Sequence, residues 1–318
     1  MSTEGGTKAI LAALGANLGI AATKFVAFAL TRSSSMLAES IHSVADSGNQ
    51  VLLLIGGRKA SRQATAEHPF GYGRQRYVYA FIVSIVLFSV GGLFALYEGG
   101  HKWAHPEAIE GRWWWVPLAI LVAAILLESF SFRTAIKEAN RHRGTTGWVR
   151  YIRTAKAPEL PVVLLEDSAA LLGLVFALFG VGVTLLTGDG HWDALGTLFI
   201  GVLLVAVAVV LALEMSSLLI GEAASAENLE RIERSLVGGR VQRIIHLKTL
   251  HLGPEELLVA AKIAIVARSS AEEVAEAIDE AEARVRSAVP IARLIYLEPD
   301  IDRGTSRTVP TMQSVDHR

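Results

Sequence analysis

Residues 36–57 read MLAESIHSVADSGNQVLLLIGG, and residues 160–187 read LPVVLLEDSAALLGLVFALFGVGVTLLT. Each run is long enough to cross about 30 Å of hydrocarbon as a helix, for which about 20 residues suffice. Each also carries ionisable groups where a span should be apolar: Glu39, His42 and Asp46 in the first, Glu166 and Asp167 in the second. A charge at bilayer depth costs roughly 2.5–3.5 kcal/mol on insertion scales, so such residues face a bundle interior and serve a function. His42 and Asp46 lie about 40° apart in azimuth and one turn apart in height, so their side chains can share one ligand. An imidazole and carboxylates at that spacing suit a divalent cation such as zinc. The two runs predict halves of one intramembrane metal site.

Outward from these runs, four more apolar stretches complete a set of six expected spans: 9–30, 77–97, 114–132 and 194–220. Hydrophobic residues make up 52% of the chain against 19% charged, with a mean hydropathy of +0.41, as a bilayer requires. The first stretch exceeds the 7–15 residues of a secretory signal core and lacks a strongly basic lead, so it is expected to span. A net charge of −1 excludes a nucleic-acid partner, because nothing concentrates enough cation to neutralise phosphates. Cysteine is absent, so any metal must be held by His, Asp, Glu or backbone oxygens.

The connectors set orientation. Arg58, Lys59, Arg62, Arg74 and Arg76 follow the second span, and Arg133, Lys137, Arg141, Arg143, Arg150, Arg153 and Lys156 follow the fourth. Opposite connectors hold only Arg32, Lys102 and Arg112. The positive-inside bias therefore places both termini in the cytoplasm, and a bacterial cell membrane is the expected setting. Trp113, Trp114 and Trp115 open the fourth span where an aromatic belt belongs.

Beyond Glu222 the pattern turns soluble. Helices are expected at 228–237 and 271–288, and strands at 241–252, 256–267 and 291–297, with a hairpin turn around Gly253-Pro254. The order αββαβ suits a sheet with two helices on one face. From Asp302 the tail is polar and aperiodic, and is expected to be disordered.

The six spans, the motif Leu37-Ala-Glu-Ser-Ile-His-Ser-Val-Ala-Asp46, an Asp early in the fifth span and the αββαβ tail together resemble the cation diffusion facilitators. Two stretches, His68-Pro-Phe-Gly-Tyr-Gly-Arg74 and Leu165-Glu-Asp-Ser-Ala-Ala-Leu-Leu-Gly173, look most like the branch containing the mitochondrial zinc exporter of animals. The resemblance covers residues 8–300. It implies a homodimeric divalent-metal/proton antiporter, not an enzyme, with a ferredoxin-like cytoplasmic domain. Its partners would be metal ions, protons and the lipid bilayer, and it needs no cofactor beyond the transported ion.

The resemblance also implies a tetrahedral site with two ligands from span two and two from span five, each pair four apart. His42, Asp46 and Asp167 match, but the fourth position is Val163, which cannot ligate. Counting ~1.5 Å per residue, Glu128 lies about 21 Å from the outer boundary and Asp167 about 20 Å, each within a few Å of the depth of Asp46. Glu128 is thus a substitute ligand, unless it serves a vestibule or pairs with Lys24 or Arg133. Glu166 competes, although it is rotated about 100° from Asp167. Glu39 suits an exit vestibule better than ligation. Asn17 and Asn49 are expected to hydrogen-bond around the site, Asn49 orienting Asp46.

Two further family metal sites look degraded. His68 is kept where Tyr72 replaces a second histidine, and His246 is kept where Tyr296 and Glu298 replace a histidine and an aspartate. Arg74 occupies the place of a basic residue that pairs with an acid at the base of the sixth span, for which Glu222 is the nearest choice. Exchange of metal for protons at His42, with rocking of spans one, two, four and five against three and six, is the implied mechanism. Gly91, Gly92, Gly173, Gly180 and Gly182 offer packing points for it, or for static packing. An intramembrane hydrolase would need a motif such as His-Glu-x-x-His, which is lacking. A metal-gated channel or scaffold stays open, as do manganese, iron, cobalt or cadmium as cargo.

Overall fold

The computed structural model describes residues 3–31, 34–106 and 114–301, except for the side chains of 3–9, 13, 16, 27, 28, 30, 31 and 34–42. The chain forms two compact units, Met1–Gly221 with Leu252–Glu255, and Glu222–His251 with Glu256–Arg318. The tail beyond residue 301, expected to be disordered, lies outside the described residues, as does Trp113.

The first unit is helical. Its elements are α1 (Thr3–Thr31), α2 (Ser34–Ala60), α3 (Gln75–Val86), a π-helical segment (Leu87–Leu93), α4 (Phe94–Ala104), α5 (Val116–Arg143), α6 (Trp148–Thr154), α7 (Glu159–Thr187) and α8 (His191–Ile220). Four helices among the described residues are long and apolar enough to cross a membrane: Gln75–Ala104, Val116–Arg143, Glu159–Thr187 and His191–Ile220. Polar residues account for the absence of α2 from this set, for Ser43, Asp46, Ser47, Asn49 and Gln50 stud its middle. Around the outside, Leu126, Phe130, Leu186 and Leu213 are each at least 67% exposed, an apolar surface suited to lipid.

Packing follows a ring: α1 touches α2, α5 and α7, α2 touches α3, and α8 touches α7 on one side and α3, the π segment and α4 on the other. Glycines bring α8 close to both neighbours. A Cβ on Gly92 would fall 2.6 Å from Val205 Cγ2, one on Gly201 2.8 Å from the Leu96 backbone nitrogen, and one on Gly180 2.7 Å from the Trp192 carbonyl. Gly173 rests against Ile200, whereas a Cβ on Gly182 would meet nothing within 4 Å, so Gly182 is no packing point.

The half nearest the basic connectors is solid. Tyr77, Ala80, Val83, Ala135, Ala139, Val162, Val163 and Leu211 are fully or almost fully buried there in one apolar cluster. Two span ends differ from expectation. The third continues seven residues past Tyr97, and the fourth runs on to Arg143 because Glu138–Arg141 pairing supports a helix beyond the apolar stretch.

The second unit contains α9 (Ala226–Leu236), β1 (Val241–Gly253), β2 (Glu256–Ile265), α10 (Ala271–Ala288) and β3 (Ala292–Ile301), with sheet order β1-β2-β3. Strands β2 and β3 pair in parallel, joined through α10. Alternate residues Leu257, Val259, Ala261 and Ile263 of β2 are buried with Ile232 and Leu236 of α9 and Ala277, Ala281 and Val285 of α10. A capping box starts α10: Ser270 Oγ accepts from the Glu273 amide at 3.2 Å, and Glu273 Oε2 accepts from the Ser270 amide at 2.7 Å. The last strand runs four residues past the expected Leu297.

Candidate metal site

Helices α1, α2, α4, α5, α7 and α8 surround a cavity of about 100 Å³. One water needs roughly 10–15 Å³ by this measure, so an ion with several waters fits. Asp46 from α2, Glu128 from α5 and Glu166 from α7 line it, together with Lys24 and Asn17 from α1. The cavity extends past Gly173 to Glu98, Lys102 and Thr197, away from the basic connectors. At its other end stands the packed apolar core.

Asp167 sits behind this lining, 1% exposed. Its Oδ2 accepts from Ser131 Oγ at 2.9 Å, and it interacts electrostatically with Glu128. The level shared by Glu128 and Asp167, read from rise per residue, thus places the two carboxyl groups as neighbours. Asp46 interacts electrostatically with Glu128, Glu166 and Asp167.

Glu166 points the other way around α7, as the 100° step demands. Its Oε1 accepts from Asn49 Nδ2 at 2.9 Å and its Oε2 from Gln50 Nε2 at 3.0 Å, while Gln50 Oε1 accepts from Asn17 Nδ2 at 3.2 Å. Asn49 thus holds Glu166 across the helix interface, with its amide facing α7, a contact beyond the expected role of orienting Asp46. Glu166 is a cavity-lining acid clamped by two amides and not a peripheral charge. Among the described residues no three His, Asp or Glu side chains already converge on one ion position. The side chains of Glu39 and His42 lie outside the described residues.

Val163, at the position where the resemblance implies a fourth ligand, is fully buried in the apolar cluster. In the loop before α3, the His68 and Tyr72 rings pack edge to face, 4.7 Å apart. His246 lies on β1; Tyr296 is 57% exposed, and Glu298 pairs with Lys262 at 2.9 Å. Glu298 and Asp300 hold the Lys262 ammonium above its usual pKa. Arg74 precedes α3 and Glu222 follows α8, in different units.

Ion pairs mark both ends of the helical unit. On the basic-connector side Arg76 meets Glu159 at 3.4 Å, with side chains 14% and 11% exposed. Nearby, burial together with the Glu138 and Glu159 carboxylates pushes the Tyr151 hydroxyl up to about 12. On the opposite side Lys102 Nζ meets Asp193 Oδ2 at 3.1 Å. The sequence reading missed Gln50, Ser131 and the cavity role of Glu98. Spacing held a signal for two of them: Gln50 is four residues after Asp46, and Ser131 three after Glu128.

Residues 10–220 match the family described as cation efflux transmembrane domain. The chain is 32% identical over 243 residues to "Proton-coupled zinc antiporter SLC30A9, mitochondrial" of Xenopus laevis, covering 76% of this chain and 43% of that protein. The Homo sapiens protein of the same name is 33% identical over 233 residues, with 72% and 41% covered. "Metal tolerance protein C4" of Arabidopsis thaliana is 28% identical over 262 residues, with 80% and 56% covered. The chain spans about half the length of these relatives. With the helical unit matched almost throughout, this chain belongs to the cation efflux family.

Proposed function

We propose that the chain exports divalent cations, zinc foremost, across its membrane in exchange for protons, by alternating access. The observation that carries this is the acid cluster in the helical unit: half-buried Asp46 with buried Glu128 and Glu166 lines one cavity with room for an ion and several waters, and buried Asp167 lies directly behind them. The relatives' printed names, with zinc and proton coupling, support cargo and mode. Family members are transporters and not enzymes. His42 and Asp46 would hold the ion with Asp167, and Glu128 would fill the place that Val163 leaves.

Exporting a divalent ion against an inside-negative potential costs about 4.6 kcal/mol per 100 mV, and returning one proton halves the charge moved. The closeness of Glu128, Asp167, Asp46 and Glu166 supports such an exchange, since metal and protons would compete for the same carboxylates. His42, whose unperturbed pKa is about 6.5, is a second exchanger. The cavity reaching Glu98 and Lys102, opposite the solid core, suits an outward-facing state.

Six spans belong to the same proposal, with α1 crossing beside α5 and α7 and α2 beside α3. So do a division at 221/222 and a ferredoxin-like cytoplasmic domain that makes the homodimer. Connector charges support cytoplasmic termini, and a cell membrane is proposed as the location, although the SLC30A9 relatives are named mitochondrial. Purified protein in liposomes, with zinc and pH dyes read together, tests the function. Zinc flux with stoichiometric counterflow of protons is expected. Zinc flux without proton flux would overturn antiport in favour of a channel, and no metal flux would overturn transport.

A further inference from the structure

Lys24 is a basic residue among the acids lining the cavity, and nothing in the proposed transport cycle yet uses it. It lies on α1, is 5% exposed, and lines the same space as Asp46, Glu128 and Glu166. Its charge is close enough to Glu128 to interact with it electrostatically. Two turns further along the helix, Asn17 anchors α1 to Gln50 and so to the Glu166 clamp, which fixes the face that α1 presents to the cavity.

A buried ammonium is costly unless it is paired, so Lys24 needs the acids as much as they need a cation. Its ammonium is a compact point charge on a flexible four-carbon stem and can shift within a cavity that holds several waters. Beyond it, toward Glu98 and Lys102, the cavity leads away from the acid cluster.

Resting on the acid cluster as the transport site, we propose that Lys24 is a tethered counter-cation, occupying that cluster when no metal is bound and being pushed aside when metal arrives. Its charge lowers metal affinity and supplies a replacement cation as the metal leaves. Conduction of any ion requires binding strong enough for capture and weak enough for release. Lys24 sets that balance.

Zinc titration calorimetry on the purified full chain, paired with zinc release from loaded liposomes, tests this. Lys24→Gln removes the charge and is expected to bind zinc roughly tenfold or more tighter, since a repelling charge on the wall of the same cavity is gone. Its release should slow by a similar factor. Lys24→Arg keeps the charge and should stay within about threefold of the parent affinity, a contrast that a merely structural lysine would not produce. Unchanged or weaker zinc binding in folded Lys24→Gln overturns the inference, and Lys24→Met decides the matter should Lys24→Gln fail to fold. Asp46→Asn separates the two levels. If it leaves zinc affinity intact, the transport site itself is wrong and the role of Lys24 falls with it. If it abolishes binding while the Lys24 variants bind like the parent, only the counter-cation fails.

Discussion

Glu128→Gln probes the substitute ligand most directly. The side chain is 2% exposed and interacts electrostatically with Asp167. Glutamine keeps its volume and can donate an N–H to Asp167, so the fold should survive while one negative charge is lost. At about 4 Å and an effective dielectric of about 20, a unit charge pair is worth about 4 kcal/mol, and a divalent ion doubles this. Desolvating carboxylate and ion takes back several kcal/mol each. A net loss of about 1.4–2.8 kcal/mol is left, equivalent to ten- to hundredfold weaker zinc binding, the range seen when an outer-shell partner is removed. Direct ligation would exceed it. Calorimetric titration with zinc, alongside a thermal melt to establish folding, provides the measurement. Unchanged affinity in a folded Glu128→Gln would refute the assignment and leave Glu166 or water in that position. Adding Val163→His should recover part of the affinity by restoring a pair with Asp167. Because Val163 is fully buried in apolar packing, the larger ring should also cost roughly 1–3 kcal/mol of stability.

Asp46→Ala and Asp167→Ala should each abolish zinc transport in liposomes while leaving a folded protein, and parent-level transport by either variant would remove that residue from the site. Ser131→Ala, deleting the 2.9 Å hydrogen bond to Asp167, should weaken zinc binding about tenfold, a hydrogen bond to a charged group being worth about 1.5–3 kcal/mol. Glu159→Gln, which breaks the pair with Arg76, should favour opening on the basic-connector side. With no native cysteine in the chain, thiol labelling of Ala139→Cys reports this, and equal labelling with and without Glu159→Gln would exclude such a latch. The fragment 222–300 should fold, self-associate and bind zinc no tighter than micromolar, given Tyr296 and the Lys262-paired Glu298; submicromolar binding by calorimetry would restore a metal site there.

Much of the helical unit was legible because burying polar groups in a membrane is so costly that each one in an apolar run carries meaning. Asp46, Glu128 and Glu166, singled out for that reason, line one cavity. Rise per residue gave the common level of Glu128 and Asp167, because a straight helix fixes depth. Azimuth was harder. Which of Glu166 and Asp167 faces the cavity depends on how α7 is rotated against α5 and α2, and a sequence does not state that rotation. The bond from Asn49 to Glu166 was not foreseen for the same reason. Lys24 was legible only as a candidate partner of Glu128, and Glu98 carried no signal until packing placed both in the cavity. In the second unit, alternation along β2 was plain, whereas β3 outran its apolar run because pairing with β2 carries it through Pro299 to Ile301.

The wide turn at Leu87–Leu93 behaves as a spacer one residue long. An α-helix advances about 100° for each residue, so deleting a single residue there and letting the segment tighten would swing everything downstream by that angle. Glu98 and Lys102 would leave the cavity wall, and Lys102 would lose Asp193. Gly99, which seats α4 against Leu198, would turn away from α8 as well. The surplus residue therefore sets the phase between the two halves of one long helix, so that its inner half can fill the core while its outer half lines the passage. A one-residue insertion or deletion in this segment would affect the chain far more than a substitution of equal volume, and its length deserves the attention usually given to its composition.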